Sequence, residues 1–99
     1  MSETGEDAGV ESDDQAGEVS YDRTLAVVNH LATSLVDEPG EVKVALDLEH
    51  PTPRVNVSAA EGEIGRLIGK RGRTAMASRA VGRAAAAKDG AHVDIEFLD

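Results

Sequence analysis

Two glycines three residues apart, Gly69 and Gly72, constrain the fold of this chain more than any other feature. Neither carries a Cβ, so the backbone can turn sharply there and another chain can approach closely. Lys70 and Arg71 occupy the positions between them, and an alanine-rich segment that predicts a helix follows directly. The pattern therefore predicts a tight cationic turn at the N-terminal end of a helix.

The cations around this turn oppose the helix that follows it. Free backbone N–H groups and the positive end of the helix dipole meet at a helix N-terminus, where Asp or Glu would be stabilising. Lys70, Arg71 and Arg73 stand there instead, and each is unfavourable by roughly 0.3–1 kcal/mol when exposed. An external anion would relieve this repulsion, and a nucleic-acid backbone is the obvious candidate.

The net charge of −9 is distributed unevenly along the 99 residues. Residues 1–22 hold eight acidic side chains and no Lys or Arg, which leaves a net charge of −1 for residues 23–99. Residues 62–88 hold seven cations and one anion. The acidic total therefore does not exclude a nucleic-acid ligand, because the basic charge is concentrated around the glycine turn.

Composition divides the chain into a disordered acidic tail, residues 1–19, and one folded domain, residues 20–99. The tail has few large apolar side chains, so it cannot bury enough surface to offset its ordering entropy, and a solubilising role is the simplest interpretation. The chain has no cysteine and no apolar run near the length of a membrane span. We therefore expect a soluble, cytoplasmic protein.

The first half of the domain predicts a helix and a hairpin. An apolar stripe at three- and four-residue spacing predicts a helix from Ser20, as N-cap, to Pro39-Gly40. Strict alternation predicts strands over 41–49 and 54–59, joined by a turn with two prolines at 50–53.

The second half predicts two helices and a strand. A capping-box spacing over 58–61 predicts a short helix through Ile68, before the glycine turn. A long helix over 73–88 and a strand over 92–98 follow. The expected core face of the long helix consists of Ala77, Val81, Ala84 and Ala85. The order α-β-β-α-α-β predicts an α+β domain with a three-stranded sheet packed against three helices.

Enzymatic chemistry is not expected from this sequence. His30, His50 and His92 lie on different predicted elements, and no Ser-His-Asp or Cys-His set can be assembled. Ile64 stands where a P-loop needs glycine, and there is no GxGxxG motif. One Tyr and one Phe cannot form an aromatic stacking platform for bases. We therefore predict no catalytic residue, metal or cofactor.

Two features together resemble a KH domain of the bacterial type II topology. One is the element order, and the other is the Ile-Gly-x-x-Gly loop at 68–72 between two helices, with Lys70 and Arg71 in its middle. The run Ile64 to Ala75, followed by four alanines and Lys88, more narrowly resembles the small single-domain KhpA proteins. The resemblance covers roughly residues 20–99. It implies a glycine loop that clamps the backbone of about four nucleotides of single-stranded RNA, with bases in an adjacent groove.

Carried onto this chain, the resemblance gives each residue of the run an expected role. Gly69 and Gly72 would let phosphates approach, and Lys70 and Arg71 would neutralise them. The remaining expected contacts are the groove walls and the positive rim, namely Ile64, Ile68, Arg66 and Arg73. The two isoleucines are equally consistent with a simple core role. Arg79 and Arg83 predict a solvated helix face or a partner surface, with RNA contact as a lesser alternative.

The resemblance also implies partners. The KhpA family forms homodimers and pairs with a larger RNA-binding protein that carries its own KH domain, in a complex regarded as an RNA chaperone linked to cell shape. An alternative stays open, in which the chain is chiefly a dimerisation subunit and the larger partner provides most RNA contacts. Single-stranded DNA is a third possibility, because both polymers share the phosphate backbone. A further hypothesis is that the acidic tail competes with RNA for the basic loop.

Overall fold

The structure, a computed structural model, describes residues 19–99, and the tail prediction, Val19 aside, lies outside the described residues. The order helix, two strands, two helices and strand confirms the predicted α-β-β-α-α-β succession. The elements are α1 (Asp22–Leu35), β1 (Lys43–Asp47), β2 (Arg54–Ser58), α2 (Ile64–Ile68), α3 (Arg73–Lys88) and β3 (Asp94–Phe97). One 3₁₀ turn, Pro39–Glu41, precedes β1, and another, Lys70–Gly72, joins α2 to α3.

The three strands form one sheet in the order β1-β2-β3. β1 and β2 are antiparallel, which confirms the predicted hairpin, whereas β3 runs parallel to β2. A parallel pair needs a crossover connection, and here the connection consists of α2, the glycine turn and α3. The glycine turn therefore lies beyond the carboxyl end of β2, and α3 returns from it towards the start of β3.

The core lies between the sheet and the helices and is aliphatic, as the scarcity of aromatic residues predicts. Val55 and Val57 alternate inward on the central strand β2, and both are 0% exposed. The rest of the buried cluster consists of Val28, Ala32, Leu67, Ala86, Ala91, Val93 and Ile95. Tyr21 and Phe97 are only partly buried at its edge.

The predicted core face of α3 is wrong except at one position. The buried residues of the helix are Ala75, Ser78, Gly82, Ala85 and Ala86, so only Ala85 is common to prediction and structure. The physical reason is the close approach of the helix to its neighbours. A Cβ at position 82 would collide with Ile95 Cδ1 and would lie 3.3 Å from Val28 Cγ2. The face of α3 that contains Gly82 therefore packs against the core, although the exposed face carries larger apolar side chains.

The short helix α2 also begins later than the capping-box spacing predicts. Ser58 is still paired with Lys43 in the sheet, and Gly62 adopts the left-handed φ of +84°. A right-handed helix cannot continue through a residue in this conformation, so a helix that began near Ser58 would have to end before Gly62. The helix therefore starts at Ile64, with Glu63 as its N-cap and no side-chain capping bond.

The long helix α3 has the predicted bounds, whereas α1 and the three strands are shorter than predicted. The N-cap of α1 is Tyr21 and not Ser20, although Ser20 Oγ still accepts the N–H of Asp22 at 3.3 Å. The first strand ends at Asp47, and Leu48 is 61% exposed. The carboxylate of Asp47 accepts the backbone N–H of Glu49, and this hydrogen bond lowers the pKa of Asp47 below its usual value. The bond turns the chain away from the sheet at this point.

Candidate nucleic-acid interface

The connection between α2 and α3 is a tight turn built from left-handed backbone. Gly69, Arg71 and Gly72 have φ angles of +77°, +58° and +73°. The N–H of Gly69 donates to Gly65 O at 2.8 Å and ends α2, and the N–H of Gly72 donates to Gly69 O at 3.1 Å. Arg71 is the only non-glycine residue with positive φ among residues 19–99, so the backbone holds this side chain in an uncommon conformation at the tip of the turn.

The two glycines of the turn are needed for different reasons. A Cβ at Gly69 would lie 2.6 Å from Thr74 Cβ and 2.9 Å from Thr74 N, and it would also collide with Thr74 Oγ1. A Cβ at Gly72 would meet nothing within 4 Å. Gly69 therefore allows α3 to fold back tightly against the end of α2, whereas Gly72 supplies only its left-handed conformation.

The cations of the turn are exposed at the positive end of α3. Lys70, Arg71 and Arg73 are exposed, and α3 has neither an acidic residue in its first turn nor a side-chain capping bond. Within residues 19–99 none of the three forms an ion pair. The end of the helix therefore presents three cations and its dipole to the same space, which is an arrangement suited to an anion.

Arg66, the fourth expected cation, already has a partner in the fold. Its Nη1 lies 3.0 Å from Asp37 Oδ1, and the two side chains are 53% and 72% exposed. Asp37 follows α1 and is brought to α2 by Glu63, which is 8% exposed. The carboxylate of Glu63 accepts the backbone N–H groups of Asp37 and, at 3.2 Å, of Glu38.

Glu63 and Asp37 are residues that the sequence prediction missed. Glu63 lies 26 and 25 positions from its two hydrogen-bond partners, and Arg66 lies 29 positions from Asp37. A Glu just before a helix is ordinarily a local dipole or capping residue. No local sequence signal distinguishes that role from the long-range anchor that the structure contains.

The two isoleucines expected at the groove differ in exposure. Ile64 is half-buried and packs against the core cluster, whereas Ile68 is 37% exposed beside the turn. Leu67, which lies between the two isoleucines in the sequence, is 1% exposed and anchors α2 to the core. Of the two, Ile68 is thus the side chain that a base beside the turn could contact most fully.

Arg79 and Arg83, four residues apart on α3, both reach β3. Arg79 Nε donates to Ile95 O at 3.0 Å, and the guanidinium lies 5.4 Å from the centre of the Phe97 ring. Arg83 Nη2 lies 3.7 Å from Asp94 Oδ1. Arg79 therefore links α3 to the edge strand, whereas Arg83 forms an exposed ion pair and stays on the solvated face that the sequence predicts as one alternative.

A shallow cavity at the far end of α3 has no connection with the glycine turn. Its volume is about 250 Å³, and Thr52, Arg83, His92 and Asp94 contribute its polar lining. Residues 19–99 contain no group of three or more His, Cys, Asp or Glu residues placed to hold a metal ion. In the same range, no helix is both long enough and apolar enough to span a membrane.

Comparison with known proteins agrees with this geometry. The family model described as KhpA/KhpB, KH domain, matches residues 26–97, which include the whole turn. An RNA-binding protein KhpA of Halalkalibacterium halodurans is 37% identical over 73 residues, which are 74% of this chain and 96% of that protein. No solved structure matches the chain significantly.

Two further relatives carry the same name. The RNA-binding protein KhpA of Borreliella burgdorferi is 32% identical over 79 residues, covering 80% of this chain and 96% of its own length. That of Bacillus subtilis is 32% identical over 73 residues, covering 74% and 90%. The match extends over 90–96% of the length of each relative, and the family model covers the turn with both of its flanking helices. The chain belongs to the KhpA/KhpB family of KH-domain proteins.

Proposed function

We propose that this chain binds single-stranded RNA by clamping its phosphate backbone in the turn Gly69–Gly72. The observation that carries the proposal is the set of exposed cations Lys70, Arg71 and Arg73 at the uncapped end of α3. Three relatives described above are named RNA-binding proteins. We assign to Ile68 the apolar contact with a base beside the turn, because it is the more exposed of the two isoleucines.

Membership of the same family supports a proposal for the biological role. We assign the chain to the cytoplasm, as an RNA chaperone or post-transcriptional regulator linked to cell shape and cell-wall biogenesis, acting by binding and not by catalysis. The matched family model covers both KhpA and KhpB domains, which supports pairing with a larger KH-domain RNA-binding protein. The acidic tail would compete with RNA for the same cations.

The salt dependence of RNA binding tests the backbone clamp. If about four phosphates are neutralised, the logarithm of the association constant falls against the logarithm of salt concentration with a slope near −3, from about −0.7 per phosphate. The measurement is a fluorescence anisotropy titration of a mixed-sequence single-stranded RNA at several salt concentrations. An association constant that stays constant across the series would contradict the clamp. The same titration with single-stranded DNA of equal sequence measures any preference for RNA.

The alternative function, a dimerisation subunit, is favoured by one observation. Met76 and Val81 of α3 are 65% and 47% exposed, and they flank a strip of three exposed alanines, Ala77, Ala80 and Ala84. Small side chains allow a second helix to approach closely, and large exposed apolar groups stabilise such contacts when buried. This face is compatible with the homodimer implied by the family.

We expect Met76→Asp/Val81→Asp to be a monomer under conditions in which the wild type is a dimer, because two charges would be buried at the interface. Sedimentation velocity measures the difference. The control is Leu48→Asp, which places the same charge at an apolar side chain that is 61% exposed on another part of the surface. A dimer that survives the double substitution, or that is lost equally in the control, would exclude the α3 face as the interface.

A further inference from the structure

An acidic residue, Asp37, lies at the edge of the proposed clamp, and Glu63 holds its backbone there. The carboxylate of Glu63, buried at the start of α2, accepts the backbone N–H groups of Asp37 and Glu38. These bonds hold the segment after α1 against the start of α2, the helix that leads directly into the glycine turn. The position of Asp37 is therefore set by its backbone, independently of its own carboxylate.

The carboxylate of Asp37 forms an ion pair with Arg66. Its Oδ1 lies 3.0 Å from Arg66 Nη1, and both groups are exposed to solvent. A phosphate that binds Arg66 must either displace this carboxylate from Nη1 or use the remaining guanidinium donors and lie close to a second negative charge. Lys70, Arg71 and Arg73 carry no such competitor within residues 19–99. The cations on the two sides of the turn are thus unequally available to an anion.

We infer that Asp37 is an internal phosphate competitor that limits the affinity of the clamp and determines the path of the bound strand. The inference rests on the proposed function. The phosphate backbone is held by Lys70 and Arg71 and continues towards Arg73, because Asp37 makes the Arg66 side less favourable for a phosphate. Asp37 competes only weakly, because an ion pair between exposed side chains is screened by water and salt.

Asp37→Asn tests the inference with little risk to the fold, since the backbone N–H that Glu63 accepts is retained. We expect affinity for a short mixed-sequence single-stranded RNA at low salt to rise about threefold, the effect of removing one exposed ion-pair partner. We also expect the salt slope to become more negative by about 0.7, because Arg66 gains a phosphate. In Asp37→Asn/Arg66→Gln the slope should return to the wild-type value.

The control is Asp89→Asn, which makes the same charge change at the opposite end of α3, where Asp89 lies 3.4 Å from Arg23. Unchanged affinity in Asp37→Asn, reduced affinity, or an equal gain in Asp89→Asn would each overturn the inference. The proposed function fails separately, if substitution of Lys70 and Arg71 leaves RNA binding intact. Failure of Asp37→Asn alone leaves the clamp in place and removes only its internal competitor.

Discussion

Replacing Lys70 and Arg71 by aspartate is expected to weaken binding of single-stranded RNA by at least about a hundredfold at low salt, because two neutralised phosphates become two repelled ones. The fold should be preserved. Both side chains are exposed, and Asp is among the residues that best tolerate the left-handed conformation of position 71. The measurement is anisotropy titration of a mixed-sequence RNA, with circular dichroism to show that the variant is folded.

The control for this variant is Arg23→Asp/Lys88→Asp, which makes the same charge change near the opposite end of α3. We expect it to lose far less affinity, because it alters the overall field of the protein and the Arg23–Asp89 ion pair but no cation of the turn. Equal losses in the two variants would mean that net charge, and not the turn, controls binding. Full binding by the folded Lys70→Asp/Arg71→Asp variant would remove the turn from the mechanism and favour the dimerisation subunit.

Substitution of Gly69 by alanine is expected to lower the free energy of unfolding by about 3 kcal/mol, a large part of the stability of a small domain. With φ +77° and ψ 175°, the residue lies in a region that is essentially restricted to glycine. The new Cβ would also lie 2.9 Å from the backbone nitrogen of Thr74. A backbone atom cannot move aside as a flexible side chain can, so α3 itself would have to shift.

Gly72→Asn is the matched comparison. Its φ of +73° and ψ of 13° are accessible to Asn, and a Cβ there has open space. We expect it to cost no more than about 1 kcal/mol. Urea denaturation of both variants and the wild type measures the difference. Equal midpoints for the two variants would show that the contact with Thr74 does not constrain Gly69.

The hairpin and the glycine turn were predictable because each depends on local signals. The alternation of Val55 and Val57, the prolines that precede them and the glycines at 69 and 72 act within a few residues of chain. The element order and the exposure of Lys70 and Arg71 follow from the same local patterns. The structure confirms the order, the hairpin and the tight turn. The roles of these residues in binding RNA stay predictions.

The orientation of α3 was not predictable, since its apolar residues are nearly all alanine. Alanines surround the helix so evenly that periodicity selects no face with certainty. Gly82 determines the orientation of the helix, because without a Cβ it can pack closely against Ile95 and Val28. Val81, expected in the core, is consequently 47% exposed. The role of this glycine cannot be inferred from its neighbours in the sequence, because the residues that it packs against lie on β3 and α1.

By itself, the sequence determined the succession of elements, the aliphatic nature of the core and the cationic glycine turn, because these arise from residues close together in the chain. Only the tertiary structure decided which cations are available. Asp37, whose backbone N–H is bound by Glu63 26 positions away, engages Arg66 across 29 positions, and Arg79 donates to a main-chain oxygen of β3. Hydrogen bonds and ion pairs of this kind depend on distances in space, which spacing along the chain does not encode.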